Sequence, residues 1–350
     1  MSNSDTQIPK KAKLREIETK DTLSDLPECI ILHILSFLNL LPTLRFYSTD
    51  FRLYKNFTKF ALEFKRERGR LEPHLLKRIV NYAISHNVQR LGLWFYTVLA
   101  HIPPTMFSCH TLTHLKLSTY PNGGHETLFP KSFNLPALTS LQLESFGFCL
   151  GDNDRAEPFS TFNKLNSLII TNSTLSGAGT LCISSATLMN LTMYTRFRRL
   201  DSIELCTPSL CTFAFIGSPQ KLSRSYVSSL KHVDIEINKV EPPLFLLNWL
   251  QELPDIKSLT VTSTTLQVLY LIPDLLKTDL PSLGNLKSLR VKMKIKSKKE
   301  AAKLRKAFRD GLKPSSLIPD GIVDFLLQNS PSAKVDYIDF SSLPLREIHI

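Results

Sequence analysis

The chain has 350 residues, 43% of them hydrophobic and 21% charged, with a formal net charge of +12. That length holds one large domain or two ordinary ones, and the apolar share suffices for a sizeable core. Residues 1–22 are polar and charged, so no secretory leader is expected. The longest apolar run, Ile30 to Leu44, is broken by His33, Ser36, Asn39, Pro42 and Thr43. It is too short for a membrane span, which needs about 20 apolar residues. The basic charge is concentrated: Lys287 to Lys313 carry twelve Lys/Arg against Glu300 and Asp310. One terminal segment, rather than a stripe along the molecule, places nucleic-acid binding below protein binding.

Six cysteines (Cys29, Cys109, Cys149, Cys182, Cys206 and Cys211) form no CxxC pair and have no histidine partners at zinc spacing. They read as reduced, mostly buried thiols of a cytoplasmic or nuclear protein. Residues 1–20, with Lys10, Lys11, Lys13 and Arg15, read as a polar disordered tail.

From residue 21 a helix is expected. Ser24 or Asp25 supplies a capping oxygen, and Pro27 fits the first turn, where its missing N–H costs nothing. Ile30, Ile31, Ile34, Leu35 and Leu38 then recur at helical spacing. Nearly every face of this segment is apolar, so more than one neighbour must cover it. Residues 55–86 read as helical, with Phe57, Phe60, Ala61 and Phe64 in one stripe. After Pro73, a second segment carries Leu75, Leu76, Ile79, Val80 and Ala83.

At residue 88 the texture changes to a recurring LxxLxL-type unit. Its nine copies begin at Val88, Leu112, Leu138, Leu165, Leu188, Leu210, Leu230, Ile256 and Leu286, 20 to 30 residues apart. No unit can bury its apolar side alone, and stacking makes a continuous core. The period is that of a leucine-rich repeat, so the expected fold is an α/β solenoid with a curved parallel sheet. Three residues past each copy's last apolar position, only Asn238 supplies the usual loop-satisfying Asn or Cys. Irregular loops are therefore expected on the convex side. Arg290, Lys292, Lys294 and Lys296 alternate with Leu289, Val291, Met293 and Ile295, which reads as a lysine-guarded final strand. Ser297 and Glu300 form a capping box before a helix striped by Ala301, Leu304, Phe308 and Leu312. A last helix is expected over about Asp320 to Gln328. A closing strand follows over Val335, Tyr337, Ile338 and Phe340.

The phrase Leu26-Pro-Glu-Cys-Ile-Ile-Leu-His-Ile-Leu-Ser-Phe-Leu38, led by Leu23-Ser-Asp, resembles the first helix of the F-box. Joined to the repeats, it resembles the plant F-box proteins with leucine-rich repeats, some of which end in an FBD region. The resemblance implies a partial F-box over 21–54, a helical linker over 55–87, repeats over 88–296 and a C-terminal cap over 297–350. It also implies a substrate-recognition subunit of a cullin–RING ubiquitin ligase. Leu26, Pro27, Ile30, Ile31, Ile34, Leu35 and Leu38 would then dock on the adaptor subunit by a helix-in-groove contact. Two departures stand out. Cys29 occupies a position that is usually acidic, and the second half of the F-box is missing before Leu41-Pro-Thr-Leu-Arg-Phe-Tyr-Ser-Thr-Asp-Phe51. A repeat scaffold with a non-functional F-box is the alternative.

No GxSxG, P-loop, GxGxxG or HExxH occurs, so neither catalysis nor a cofactor is expected. The nine histidines are scattered, and Asp152 and Asp154 read as a plain turn. A protein substrate is expected on the outward residues of the repeat strands. The polar ones that stand out are His114, Lys116, Gln142, Asn166, Asn190, Lys231, Asp234 and Lys257, interleaved with Gly92, Thr192, Ala214 and Thr260.

Overall fold

The computed structural model describes residues 51–56, 59–64, 77, 80–81, 83–85, 87–95, 102–119, 127–130, 135–195, 200–237, 244–253, 256–293 and 318–339. The polar tail, the F-box-like phrase and the helix expected after Ser297 lie outside these residues.

Strands of the front sheet run in chain order: β1 (Phe51–Asn56), β2 (Lys59–Phe64), β3 (Arg90–Phe95), β4 (His114–Thr119), β5 (Ser140–Glu144) and β6 (Ser167–Thr171). They continue with β7 (Asn190–Thr195), β8 (Thr212–Gly217), β9 (His232–Ile237), β10 (Ser258–Thr262), β11 (Ser288–Met293) and β12 (Lys334–Asp339). Their spatial order is their sequence order. β1 and β2 are antiparallel, and every later neighbour is parallel. The protein is a parallel β-solenoid.

All nine sequence units land on strands, one per rung. The second apolar positions, from Leu91 through Leu115, Leu141, Leu168, Leu191, Phe213, Val233 and Leu259 to Leu289, pair residue for residue across the sheet. The third positions do the same, from Leu93 to Val291. Period-two alternation sends both sets inward, and all of them are buried. A one-residue slip would expose the whole set, so the register is strongly specified.

A second regularity holds the strand entries. The carbonyls of Gln89, Thr113, Thr139, Asn166, Met189, Cys211, Lys231 and Lys257 each accept two successive N–H groups of the next rung, at 2.8 to 3.2 Å. Thr113 and Thr139 add their own hydroxyls to the same carbonyls, at 3.0 Å each.

Four expectations need correction. First, residues 51–56 and 59–64 are a pair of antiparallel strands, not a helix. Phe60, Leu62 and Phe64 alternate at period two as well as fitting a helical stripe. Pairing wins because Leu62 and Phe64 fall in register with Leu91 and Leu93 and extend the sheet. The described residues within 77–85 are helical, as expected. Second, β11 is not the final strand, because β12 pairs along its whole length. Third, among the described residues, much of the side behind the front sheet is regular. Thr127–Leu128, Phe146–Phe148 and Thr174–Leu175 make one parallel sheet. Arg155–Ala156, Gly179–Ser184, Leu200–Cys206 and Lys221–Tyr226 make another. Phe146, Phe148, Leu181, Ile183, Ile203 and Leu205 are buried there and supply the apolar pull. Fourth, the cysteines are less buried than expected. Cys109 and Cys182 are buried, whereas Cys149, Cys206 and Cys211 are half-buried, and all five are free thiols.

Two positive φ values mark how the front passes to the rear. Ser145 (φ 63) and Asn172 (φ 49) follow β5 and β6 directly, and the next strands begin within two residues. Later rungs replace rear strands by helices. α1 (Leu244–Glu252) buries Trp249 against Phe215, with ring centroids 4.6 Å apart, and Trp249 Nε1 donates to the Gln220 carbonyl at 2.7 Å. α2 (Ser263–Leu269) starts straight from β10. Thr262 Oγ1 accepts from the Thr265 N–H at 3.1 Å, and Thr265 Oγ1 donates to the Ile235 carbonyl at 3.1 Å. The expected last helix is present as α3 (Ile322–Leu326), with Ile322, Phe325 and Leu326 buried.

Candidate functional site

Outward positions of the front sheet form three rows across the strands. The first row runs Arg90, His114, Ser140, Ser167, Asn190, Thr212, His232, Ser258, Ser288 and Lys334. The second runs Gly92, Lys116, Gln142, Ile169, Thr192, Ala214, Asp234, Thr260, Arg290 and Asp336. The sheet thus brings His114, Lys116, Gln142, Asn190 and Asp234 onto one continuous face. Asn166, Lys231 and Lys257 stand one residue earlier, at the strand entries, where all three are exposed.

Outward reading of the sequence stopped one position short. A third row, two residues further along, holds Trp94, Ser118, Glu144, Thr171, Tyr194, Ile216 and Glu236, and the same alternation extended by one step finds it. Much of the polar chemistry sits there. Lys116 Nζ lies 4.6 Å from the ring centre of Trp94. Ser118 Oγ donates to Glu144 Oε2 at 2.7 Å. Tyr194 is half-buried, and its hydroxyl is held above its ordinary pKa by burial first and by the charges of Glu236 and Asp234 after it.

Asp234 is the most constrained ionisable group of the face. Burial pushes its carboxyl up, and the hydrogen bond and charge of Lys292 oppose that rise. Lys292 Nζ donates to Asp234 Oδ2 at 2.6 Å, while Oδ1 is buried without a partner. At the entry side, Thr113 Oγ1 lies 2.9 Å from His114 Nδ1, and Asn190 Nδ2 donates to Asn166 Oδ1 at 3.4 Å. These side chains are tied to one another along the rungs, so the face is a pre-ordered polar surface with little side-chain freedom left to lose on contact.

The rear carries a different cluster. Arg155 Nη1 lies 2.8 Å from Glu204 Oε2, a buried carboxylate that also accepts from Cys182 Sγ and Cys206 Sγ at 3.7 Å. Burial pushes the Cys182 thiol up to about 12, so it is a poor nucleophile. A shallow cleft beside it is lined by Phe129, Phe148, Cys149, Arg155 and Glu157. Among the described residues no three His, Cys, Asp or Glu side chains gather as metal ligands, and no helix is long and apolar enough to cross a membrane.

Leu26, Pro27, Ile30, Ile31, Ile34, Leu35 and Leu38, expected from the sequence to face an adaptor, lie outside the described residues. No family model, no curated protein and no solved structure matches the chain.

Proposed function

We propose that the chain is a protein-binding leucine-rich-repeat solenoid and serves as the substrate-recognition subunit of a cullin–RING ubiquitin ligase. The observation that carries the first half is the continuous front face. Nine sequence units in register give an open polar surface with small floor residues such as Gly92 and Ala214 and mixed charge. Such a surface suits an extended protein contact better than a small ligand, which favours an enclosed apolar pocket. The ligase half rests on Leu26 to Leu38, whose apolar positions exceed what a lone helix can cover and whose order resembles the F-box.

A repeat scaffold without a ligase connection is the second reading, favoured by the missing second half of the F-box. Calorimetry of the purified chain with the adaptor subunit, beside an Ile34→Asp, Leu35→Asp double variant, separates the two. Micromolar or tighter binding that the double variant loses supports the ligase role. A folded chain that does not bind the adaptor leaves the scaffold.

A further inference from the structure

Three lysines occupy one place on three consecutive rungs. Lys231, Lys257 and Lys287 each enter their strand at the position whose carbonyl, or whose N–H, belongs to the entry ladder, and the N–H of each later lysine bonds the carbonyl of the one before at 2.8 and 2.9 Å. All three are exposed, and none has an ion-pair partner among the described residues. The same place on the two preceding rungs holds Met189 and Cys211, which carry no charge, so the column begins at Lys231.

Nearby acids do not neutralise the column. Asp234 is held by Lys292, and Asp336 lies 3.1 Å from Lys334. Arg290, exposed on β11, adds a fourth cation without an ion-pair partner among the described residues. Like charges about 4.8 Å apart repel one another. Nothing in the sheet's hydrogen bonding requires lysine here, because on these three rungs the ladder uses only backbone atoms.

We propose that this column is a docking edge for an acidic α-helix of a protein partner, laid across the strands. The spacing selects the helix. Adjacent rungs place the lysines at about 0, 4.8 and 9.6 Å. Glutamates at i, i+3 and i+7 of a helix rise by about 4.5 and 10.5 Å on one face. An extended acidic strand repeats on one side every 6.6 to 6.8 Å and drifts out of step by the third rung. Single-stranded nucleic acid is disfavoured because no Phe, Tyr or Trp stands at these entries or beside them in the first row, where His232 is the one ring that could stack a base and Ser258 and Ser288 offer none. The proposal rests on the solenoid being a protein-binding surface, and not on the adaptor helix.

The test uses the full chain and three fluorescent probes. One is a stapled helical peptide with glutamates at i, i+3 and i+7. The second has the same composition with the glutamates scattered around the helix, and the third is a single-stranded oligonucleotide of equal charge. Expected are at least tenfold tighter binding of the first peptide than of the second or of the oligonucleotide, and at least a tenfold loss on Lys257→Glu. That variant should melt like the parent. Equal binding of the two peptides, tighter binding of the oligonucleotide, indifference to Lys257→Glu, or no binding at millimolar peptide would each overturn the proposal.

Discussion

Lys292 on β11 reaches over β10 to Asp234 on β9, so one ion pair clamps three successive rungs at 2.6 Å. Neither residue is close to the other in sequence, and neither strand pairs with the other directly. In a solenoid, where each unit otherwise touches only its neighbours, such a contact couples units that the backbone ladder leaves independent.

Replacing Lys292 by Met removes the two influences that hold the Asp234 pKa down and leaves burial unopposed. The sign follows from linkage. A carboxyl whose folded pKa is raised above its ordinary 3.8 stabilises the fold below that pH, and the contribution is lost as pH rises through the folded value. The variant's folded pKa lies higher still, so its loss is larger. Chemical denaturation should show a cost of about 2 kcal/mol at pH 7, in the range of a charged hydrogen bond. The gap should narrow toward pH 3. A cost independent of pH would show that packing, not charge, links the rungs.

Trp249 closes the rear of the later rungs against Phe213 and Phe215, and it is fully buried. Trp249→Ala should cost about 3 to 5 kcal/mol in urea denaturation. Trp249→Phe should cost less but leave the Gln220 carbonyl without its donor, about 1 to 3 kcal/mol.

Gly179 is fixed by close approach rather than by dihedral angle. A Cβ there would stand 2.4 Å from the Asp154 carbonyl oxygen and 2.9 Å from Leu150 Cδ2. Backbone cannot yield as a side chain can, so Gly179→Ala should lower stability by about 1 to 3 kcal/mol. Gly321→Ala meets no atom within 4 Å but has φ 74, so its cost is confined to the left-handed backbone, about 1 kcal/mol. Thermal melts of the two variants order these causes.

Thiol labelling should follow burial and charge. At pH 8 iodoacetamide is expected to modify Cys149 and Cys211 before Cys182, whose thiol is held at about 12 beside Glu204. Denaturant should abolish the difference, and peptide mass spectrometry reads it. Early labelling of Cys182 would contradict its burial beside the Glu204 carboxylate.

Period-two signals were legible wherever both inward positions of a rung were apolar, as in Leu115 and Leu117. Each such unit lands on its strand. The strand pair at 51–56 and 59–64 was misread because Phe57, Phe60, Ala61 and Phe64 also satisfy helical spacing. Only its register with Leu91 and Leu93, a contact across about 30 residues, decides between them. The rear strands were hidden for a related reason. Phe146–Phe148 is too short to show a period, and Leu200–Cys206 mixes Asp201, Ser202 and Glu204 with its apolar residues without clean alternation. Of the outward face of the front sheet, the first two rows follow from alternation. Trp94, Tyr194 and Glu236 needed only one further step, whereas the Lys292–Asp234 clamp depends on side-chain reach and has no sequence signature.

The doubled carbonyls at the strand entries each take two main-chain N–H groups, joined by a threonine hydroxyl at Gln89 and Thr113, and the distance between successive entries along the chain varies from 20 to 30 residues without disturbing them. Each unit's strand entry is therefore fixed by one short stretch, whatever the length of the arc that returns behind it. A foreign segment spliced into such an arc, for example within the fully exposed Gly151–Asp154 turn, would leave every entry bond in place. One introduced between Thr113 and His114 would break two bonds at once and slip every rung that follows. The molecule thus carries its own map of where a guest peptide can be grafted and where it cannot.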